Sequence, residues 1–548
     1  MYGCSDDFLD REPLHAPSET TFWQSEYDAE VAVNQLYQYL PNARRWWTEC
    51  FSDNAVMTNA WGEGGLGQIK QGSLSPTTVH IQAGYRARGQ GWSEWRYDDV
   101  QRILNYLNNM QTIAFEHESN ARNFEGQARF ILAMKYFRMS RFWGDLPLIE
   151  APISLEDSRA LTRSPQKEVF EFILENVNRA VDYLPDVHDK SGRITRDAAL
   201  MLKAEVLMWM ACMDQFHHRS ISDKSANTLW REAANALGAL IQKGRYRLHP
   251  DLVALFISRT NNLDDETILA RQYVEEEITN FIDILGVPGG VGARGGGWSS
   301  FSAPRNLVDT YECIDGLSIR DSPLYDINNP WENRDKRLTS WFLLPGRDVI
   351  RVGGGFSPFQ SHPSYGNPEA IGGEGGGGRS GYWCIKHVDL EATHRWGWTN
   401  WMIYRYADAL LLYAEALNEA EPGNDSISWA MDRIRTRAGL PSVDALQGNQ
   451  VEMRAKIWHE RRVEMISEEK RYFDLLRWKE AENAMNPPEG VLFGINESED
   501  DYNNRLGDWN AVKVVAEPIM FDASRTYLWP VPQDVRDKNP NISQNPGW

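Results

Sequence analysis

Residues 404–420 read YRYADALLLYAEALNEA, and the spacing of their apolar side chains decides the fold class. Tyr404, Ala407, Leu411, Ala414 and Leu417 recur at intervals of three and four, so they share one face of a helix. Small alanines on such a face let a second helix approach closely, while tyrosine and leucine fill the grooves between the two. A helix of this kind is a stacking unit.

The same spacing recurs on either side. Over 93–111 it is carried by Val100, Ile103, Leu104, Leu107 and Met110, and over 123–142 by Phe130, Ile131, Met134, Phe137 and Phe142. Pro165 suits the first position of a helix that reaches Leu184 and is stopped by Pro185. Residues 195–216 and 229–243 form another pair, and helices return over 401–420, 427–438 and 451–484. The tetratricopeptide consensus is not met, but the helix pairs predict a mostly α fold with a tetratricopeptide-like helix-pair scaffold over 27–244 and 401–484. Between them, residues 245–400 are rich in Gly, Pro, Trp and Asn, which predicts a large irregular loop-rich region containing short strands. Residues 485–548 read as an irregular C-terminal tail, and 1–548 as a single unit.

The charge balance is 57 − 77 = −20. That surface repels phosphate backbones, so no nucleic-acid partner is expected, and a neutral ligand is expected rather than a polyanion. The longest apolar stretch, Ala407–Ala416, falls well short of the roughly 20 residues that span a bilayer. Tryptophan is abundant, at 22 residues, and many lie in Gly- and Pro-rich stretches where few neighbours can bury them. Some of these rings are expected to be exposed.

Several chemical motifs fail their context. Gly290 to Gly295 fit GxGxxG, but Gly296-Gly297-Trp298-Ser299-Ser300 follows where a dinucleotide fold needs a helix. The run GGEGGGG (372–378) lacks the GK[ST] of a phosphate loop. His217 and His218 point in different directions on a helix and have no third ligand in sight, so solvated helix-end histidines are expected and no metal. There is no HExxH, GxSxG or CxxC, and the carboxylate pair of a glycosidase cannot be picked out among 77 acidic residues. No catalytic residue and no cofactor is assigned.

Two further stretches carry information. ERRVEMISEEKRYFDLLRWK (460–479) places Glu460, Arg461, Glu464, Arg471, Asp474 and Arg477 beside Met465, Phe473 and Leu476. That is too much charge for a solvated face, so buried arginine–carboxylate pairs that fix helix register are expected. At the start, Met-Tyr-Gly-Cys has two readings: the last positions of a lipobox, with lipid on Cys4, or an initiator methionine before an arbitrary cysteine.

Five segments in fixed order resemble the SusD/RagB family of bacterial outer-membrane nutrient-binding lipoproteins. They are GQARFILAMKYFRMSRFWGDLPLI (126–149), SAPRNLVDTYECIDG (302–316), 404–420, 460–479, and LWPVPQDVRDKNPNISQNPGW (528–548). The resemblance implies a lipidated Cys4 followed by an acidic tag, and a protein held at the outer membrane facing the exterior. It also implies non-catalytic capture of an oligosaccharide, which is handed to a SusC-like TonB-dependent transporter docked on the helical side. It places the ligand site on loops above the scaffold, where the sequence offers Asp53, Asn54, Trp61, Trp92, Trp298, Arg379, Tyr382 and Trp383. Trp298 beside three glycines, and Tyr382-Trp383 after GGEGGGGRSG, are expected as uncovered rings, whereas Trp396, Trp398 and Trp401 are expected in the core. The rival readings are the same fold binding peptide or another nutrient, a glycan-cleaving enzyme, and a protein-only scaffold with buried loop tryptophans.

Overall fold

Capping side chains open several of the helices. The computed structural model describes residues 22–57, 69–78, 95–257, 264–293, 295–371, 378, 380–486 and 519–548. Ser25 accepts from the Asp28 amide and Asp28 accepts from the Ser25 amide, a reciprocal cap that opens α1 (Glu26–Leu36). Then follow α2 (Tyr97–Asn109), α3 (Glu118–Trp143), α4 (Gln166–Tyr183), α5 (Arg196–Gln215) and α6 (Ala226–Ile241). Thr195 and Ser225 cap the last two. Pro165 sits one place before α4, as its cap residue. After the loop-rich region come α7 (Tyr406–Ala420), α8 (Asp425–Ala438), α9 (Gln450–Glu464) and α10 (Arg471–Trp478).

The helices stack in chain order. α3 packs on α4, α4 on α5, α5 on α6, and α6 on α7, which also receives α8 and α9. This is the mostly α, tetratricopeptide-like scaffold that the alanine-rich helices predict. Close approach depends on small residues: a Cβ added at Gly238 of α6 would lie 3.4 Å from the Tyr413 ring of α7. Gly126 of α3 likewise lies against Leu184, 3.0 Å from where its Cβ would be. The single-face reading of 404–420 needs correction. α7 is buried almost all round, Asp408 and Glu415 included, because neighbours cover several sides at once. Tyr404 precedes it, on a strand.

Short antiparallel strand pairs bring distant parts of the chain together. β1 (Val56–Met57) pairs with β3 (Phe301–Ser302), and β2 (Thr267–Arg271) with β8 (Trp401–Arg405). β4 (Phe342–Leu343) pairs with β7 (Trp383–Cys384), and β5 (Asp348–Ile350) with β6 (Phe356–Pro358). The tail folds back: Trp529 donates to the Tyr472 hydroxyl at 2.9 Å, and Trp143 of α3 donates to the Pro530 carbonyl at 3.0 Å.

The charges of 460–479 are buried and paired. Arg337 reaches Glu460 at 2.5 Å and Glu464 at 2.9 Å, while Arg405 reaches Glu266 and Glu464, both at 2.8 Å. Arg461 bonds Asp408 and Asp474, and Arg477 bonds Glu415. Because Arg337 comes from the loop-rich region and Glu460 from α9, the network clamps loops to scaffold. His217 lies just past α5 and is not free in solvent, since its Nε2 is 2.9 Å from the Leu476 carbonyl. Cys50, Cys212, Cys313 and Cys384 are free thiols, all buried. Among the described residues no helix is long and apolar enough to cross a membrane.

Candidate functional site

The loop from Gly286 to Ser300 leaves the short helix Ile282–Leu285 and returns beside its own origin. The Trp298 amide donates to the Ile284 carbonyl at 2.7 Å, Ser299 to Val287 at 2.8 Å and Ser300 to Leu285 at 3.0 Å. Glycine is required at this crossing. A Cβ at Gly296 would fall 1.8 Å from the Gly289 carbonyl oxygen, and one at Gly297 2.1 Å from that of Val287. The glycines beside Trp298 therefore serve the crossing of two backbones, rather than merely uncovering the ring. Trp298 emerges from the closed crossing 44% exposed.

A second loop brings a partner. The Asn280 amide donates to the Gly397 carbonyl at 2.7 Å and the Gly397 amide returns the bond at 3.1 Å. Gly397 is again forced, because a Cβ there would sit 2.1 Å from Asp283 Oδ2. This pairing presents Trp396, itself 37% exposed, beside Trp298, with ring centroids 6.4 Å apart at 80°. Phe281 completes the row, 4.8 Å from Trp396 at 77°. The Arg395 guanidinium lies 5.2 Å from the Trp396 ring centre and 5.8 Å from that of Trp298, and Arg44 lies 5.9 Å from Phe281. The result is an aromatic ledge bordered by cations, a surface suited to stacking against a flat apolar ring face.

The other sequence candidates divide. Tyr382 and Trp383 are fully buried, contrary to the expectation of open rings. Trp383 donates to Ser299 Oγ at 3.0 Å and meets Phe359 edge-on at 5.6 Å, so it supports the Trp298 loop from beneath. Tyr382 packs edge-on to Trp331 at 6.0 Å. Asp53 and Asn54 are also corrected, because both are buried and their polar atoms are already engaged. Asp53 accepts from Arg471 at 2.9 and 3.0 Å and from Arg462 at 2.8 Å. Burial raises its pKa, but the two guanidinium charges outweigh that and hold the carboxyl far below its usual range. Asn54 accepts from Arg462 at 3.0 Å and donates to Glu49 at 3.2 Å. Trp61, Trp92, Arg379 and Cys4 lie outside the described residues. Trp396, expected in the core, is open to solvent instead, and Arg395 and Phe281 were missed by the sequence reading. The one available signal was Gly397 between two tryptophans, which marks a turn rather than the lead-in to a helix.

The scaffold also holds a half-open pocket of about 40 Å³, lined by Arg138, Glu205 and Lys470 and as much by the apolar Met134, Phe137 and Trp401. At roughly 10–15 Å³ per enclosed water it has room for a few waters and not for a sugar ring. Among the described residues no group of three or more His, Cys, Asp or Glu side chains is arranged to hold a metal ion.

Comparison with known proteins places this architecture. The SusD family profile matches residues 265–548, more than half of the chain. The protein belongs to the SusD family. A second profile, described as starch-binding associating with outer membrane, matches residues 7–208 of this SusD-family chain. A SusD-like protein of Bacteroides ovatus is 25% identical over 87% of this chain and 80% of its own length. SusD-like protein P2 of Formosa agariphila is 23% identical over the whole of this chain and 97% of its own. Among solved structures, a SusD-like carbohydrate-binding protein of Bacteroides fragilis superposes with a TM-score of 0.76 at 21% identity, covering 95% of this chain and all of that one.

Proposed function

We propose that this SusD-family protein captures an oligosaccharide at the cell surface and passes it to a SusC-like TonB-dependent transporter. The observation that carries the reading is the open ledge of Trp298 and Trp396, two indoles at 80° raised by loops pinned at their bases. A pyranose ring has an apolar face that stacks on indole and a polar rim that seeks hydrogen-bond donors, and a ledge of two rings engages successive sugars of a chain. Binding needs no chemistry, and moderate affinity is sufficient because the ligand must be released inward. Membership of the SusD family, the described outer-membrane association of the second matching profile, and the carbohydrate-binding B. fragilis relative all support the reading. Lipid attached to Cys4 anchors the protein to the outer membrane, and the transporter docks against the helical scaffold.

Screening the protein against an array of oligo- and polysaccharides beside a peptide pool tests the capture step. Glycan binding without product formation on prolonged incubation supports the reading. Binding confined to peptides, or cleavage of the glycan, contradicts it. For the anchor, Cys4→Ser in the native host is expected to move the protein from the membrane fraction to the soluble one.

A further inference from the structure

The ledge carries a charge that stacking alone does not require. Arg395 is exposed and lies over both indoles. Among the described residues its guanidinium pairs with no carboxylate, and the Trp396 and Trp298 ring centres lie 5.2 and 5.8 Å away. Arg337, Arg405, Arg435, Arg437, Arg461 and Arg477 each hold at least one carboxylate, whereas Arg395, like Arg433 over Trp429, is set against aromatic rings instead. Two carboxylates close to this stretch have other partners. Glu275 pairs with the neighbouring His394 at 3.3 Å, and buried Asp283, behind Gly397, accepts from the Asp389 amide at 2.8 Å. A second guanidinium, Arg44, borders the far end of the row at Phe281.

We propose that the ledge selects an acidic oligosaccharide: a short chain containing uronic acid, whose sugar rings stack on Trp298 and Trp396 while its carboxylate is taken by Arg395. The proposal rests on the glycan-capture reading and adds the chemical class of the glycan. A guanidinium presents two parallel N–H groups that match the two oxygens of a carboxylate, and one already held against aromatic faces loses little freedom when it binds. The net charge of −20 repels polyanions at long range. That repulsion is screened beyond about 8 Å at physiological ionic strength, so the local cation decides the recognition of a short acidic chain.

Calorimetry with matched pairs of probes tests this. Oligogalacturonate, oligomannuronate and a glucuronic-acid-substituted xylo-oligosaccharide are each compared with the same oligosaccharide after reduction of its carboxyl groups. The wild type is expected to bind at least one acidic member about tenfold or more tighter than its reduced partner, a difference of about 1.4 kcal/mol. Arg395→Gln is expected to remove that preference without lowering the melting temperature, and Arg395→Lys is expected to restore part of it. Equal affinity for acidic and reduced partners, or a preference that survives Arg395→Gln, overturns the proposal. Binding of neutral glycans alone, lost in Trp298→Ala, overturns it and leaves glycan capture standing. No binding to any glycan overturns both.

Discussion

Arg405 at the end of β8 and Glu464 at the end of α9 meet at 2.8 Å with both side chains fully buried, and the same guanidinium also engages Glu266 and Glu468. Glu464 in turn receives Arg337 and Arg437, at 2.9 and 2.6 Å. Burial alone raises the pKa of this carboxyl, but three guanidinium groups outweigh that and hold it far below its usual range. Through Arg337 and Glu266 the arrangement joins the loop-rich region to β8 and to the last helices of the scaffold, so the ledge stands on a fixed base.

Removing one member of this network strands the others. Glu464→Ala leaves Arg337, Arg405 and Arg437 buried with less compensation and is expected to cost about 3–5 kcal/mol of stability, read by urea unfolding. A cost below about 1 kcal/mol, typical of a surface pair, contradicts the assignment.

Stability is expected to fall on mild acidification. Burial pushes His387 down from 6.5 to about 3, and His459 and His217 to about 4. These groups bind fewer protons folded than unfolded, so the stability they contribute above pH 6.5 is lost as pH falls toward 4. Glu49 has the opposite sign: burial raises it from 4.5 to about 7, and its contribution is lost as pH rises through that value. Burial lowers His188 as well, so the four histidines together outweigh Glu49 and give a lower melting temperature at pH 5 than at pH 7.5. In His459→Gln, which loses the contact to Glu312 at 3.5 Å, the dependence is expected to be shallower. A flat or inverted profile contradicts the desolvation of these rings.

Two tryptophans read alike in the sequence are expected to behave oppositely. Trp383→Ala removes a fully buried indole bonded to Ser299 and is expected to cost about 3–5 kcal/mol. Trp298→Ala removes an exposed ring and is expected to change stability by no more than about 0.5 kcal/mol. Chemical denaturation of the two variants separates support from ledge, and equal losses contradict the division.

The buried thiols are expected to be inert. Burial raises Cys384 to about 11 and pushes Cys212 higher still, so the reactive thiolate is scarce in the folded protein. Mass-spectrometric mapping after brief exposure to iodoacetamide at pH 8 is expected to find both unmodified, and both modified in denaturant. Rapid labelling of either in the native protein contradicts the packing.

The scaffold was legible because its determinants are local. The spacing of 404–420 and the punctuation at Pro165 and Pro185 lie within one or two helical turns of what they control. The buried charges of 460–479 were legible because no helix solvates so many beside Phe473 and Leu476. The ledge was only half legible. Whether a loop indole is covered depends on partners far along the chain: Ser299 is 84 residues from the Trp383 that bonds it. Trp396 opens outward because Asn280, from another loop, pairs with Gly397. Periodicity records neither contact, and a glycine run looks the same whether it bares a ring or lets two backbones cross.

The central claim is that sugar rings stack on Trp298 and Trp396. It is tested most directly by calorimetric titration of the strongest array ligand into the wild type and into the double variant Trp298→Ala/Trp396→Ala. The account predicts an unchanged fold and affinity weakened by about tenfold or more, the loss expected when aromatic anchors are truncated. A double variant that binds as tightly as the wild type would contradict it.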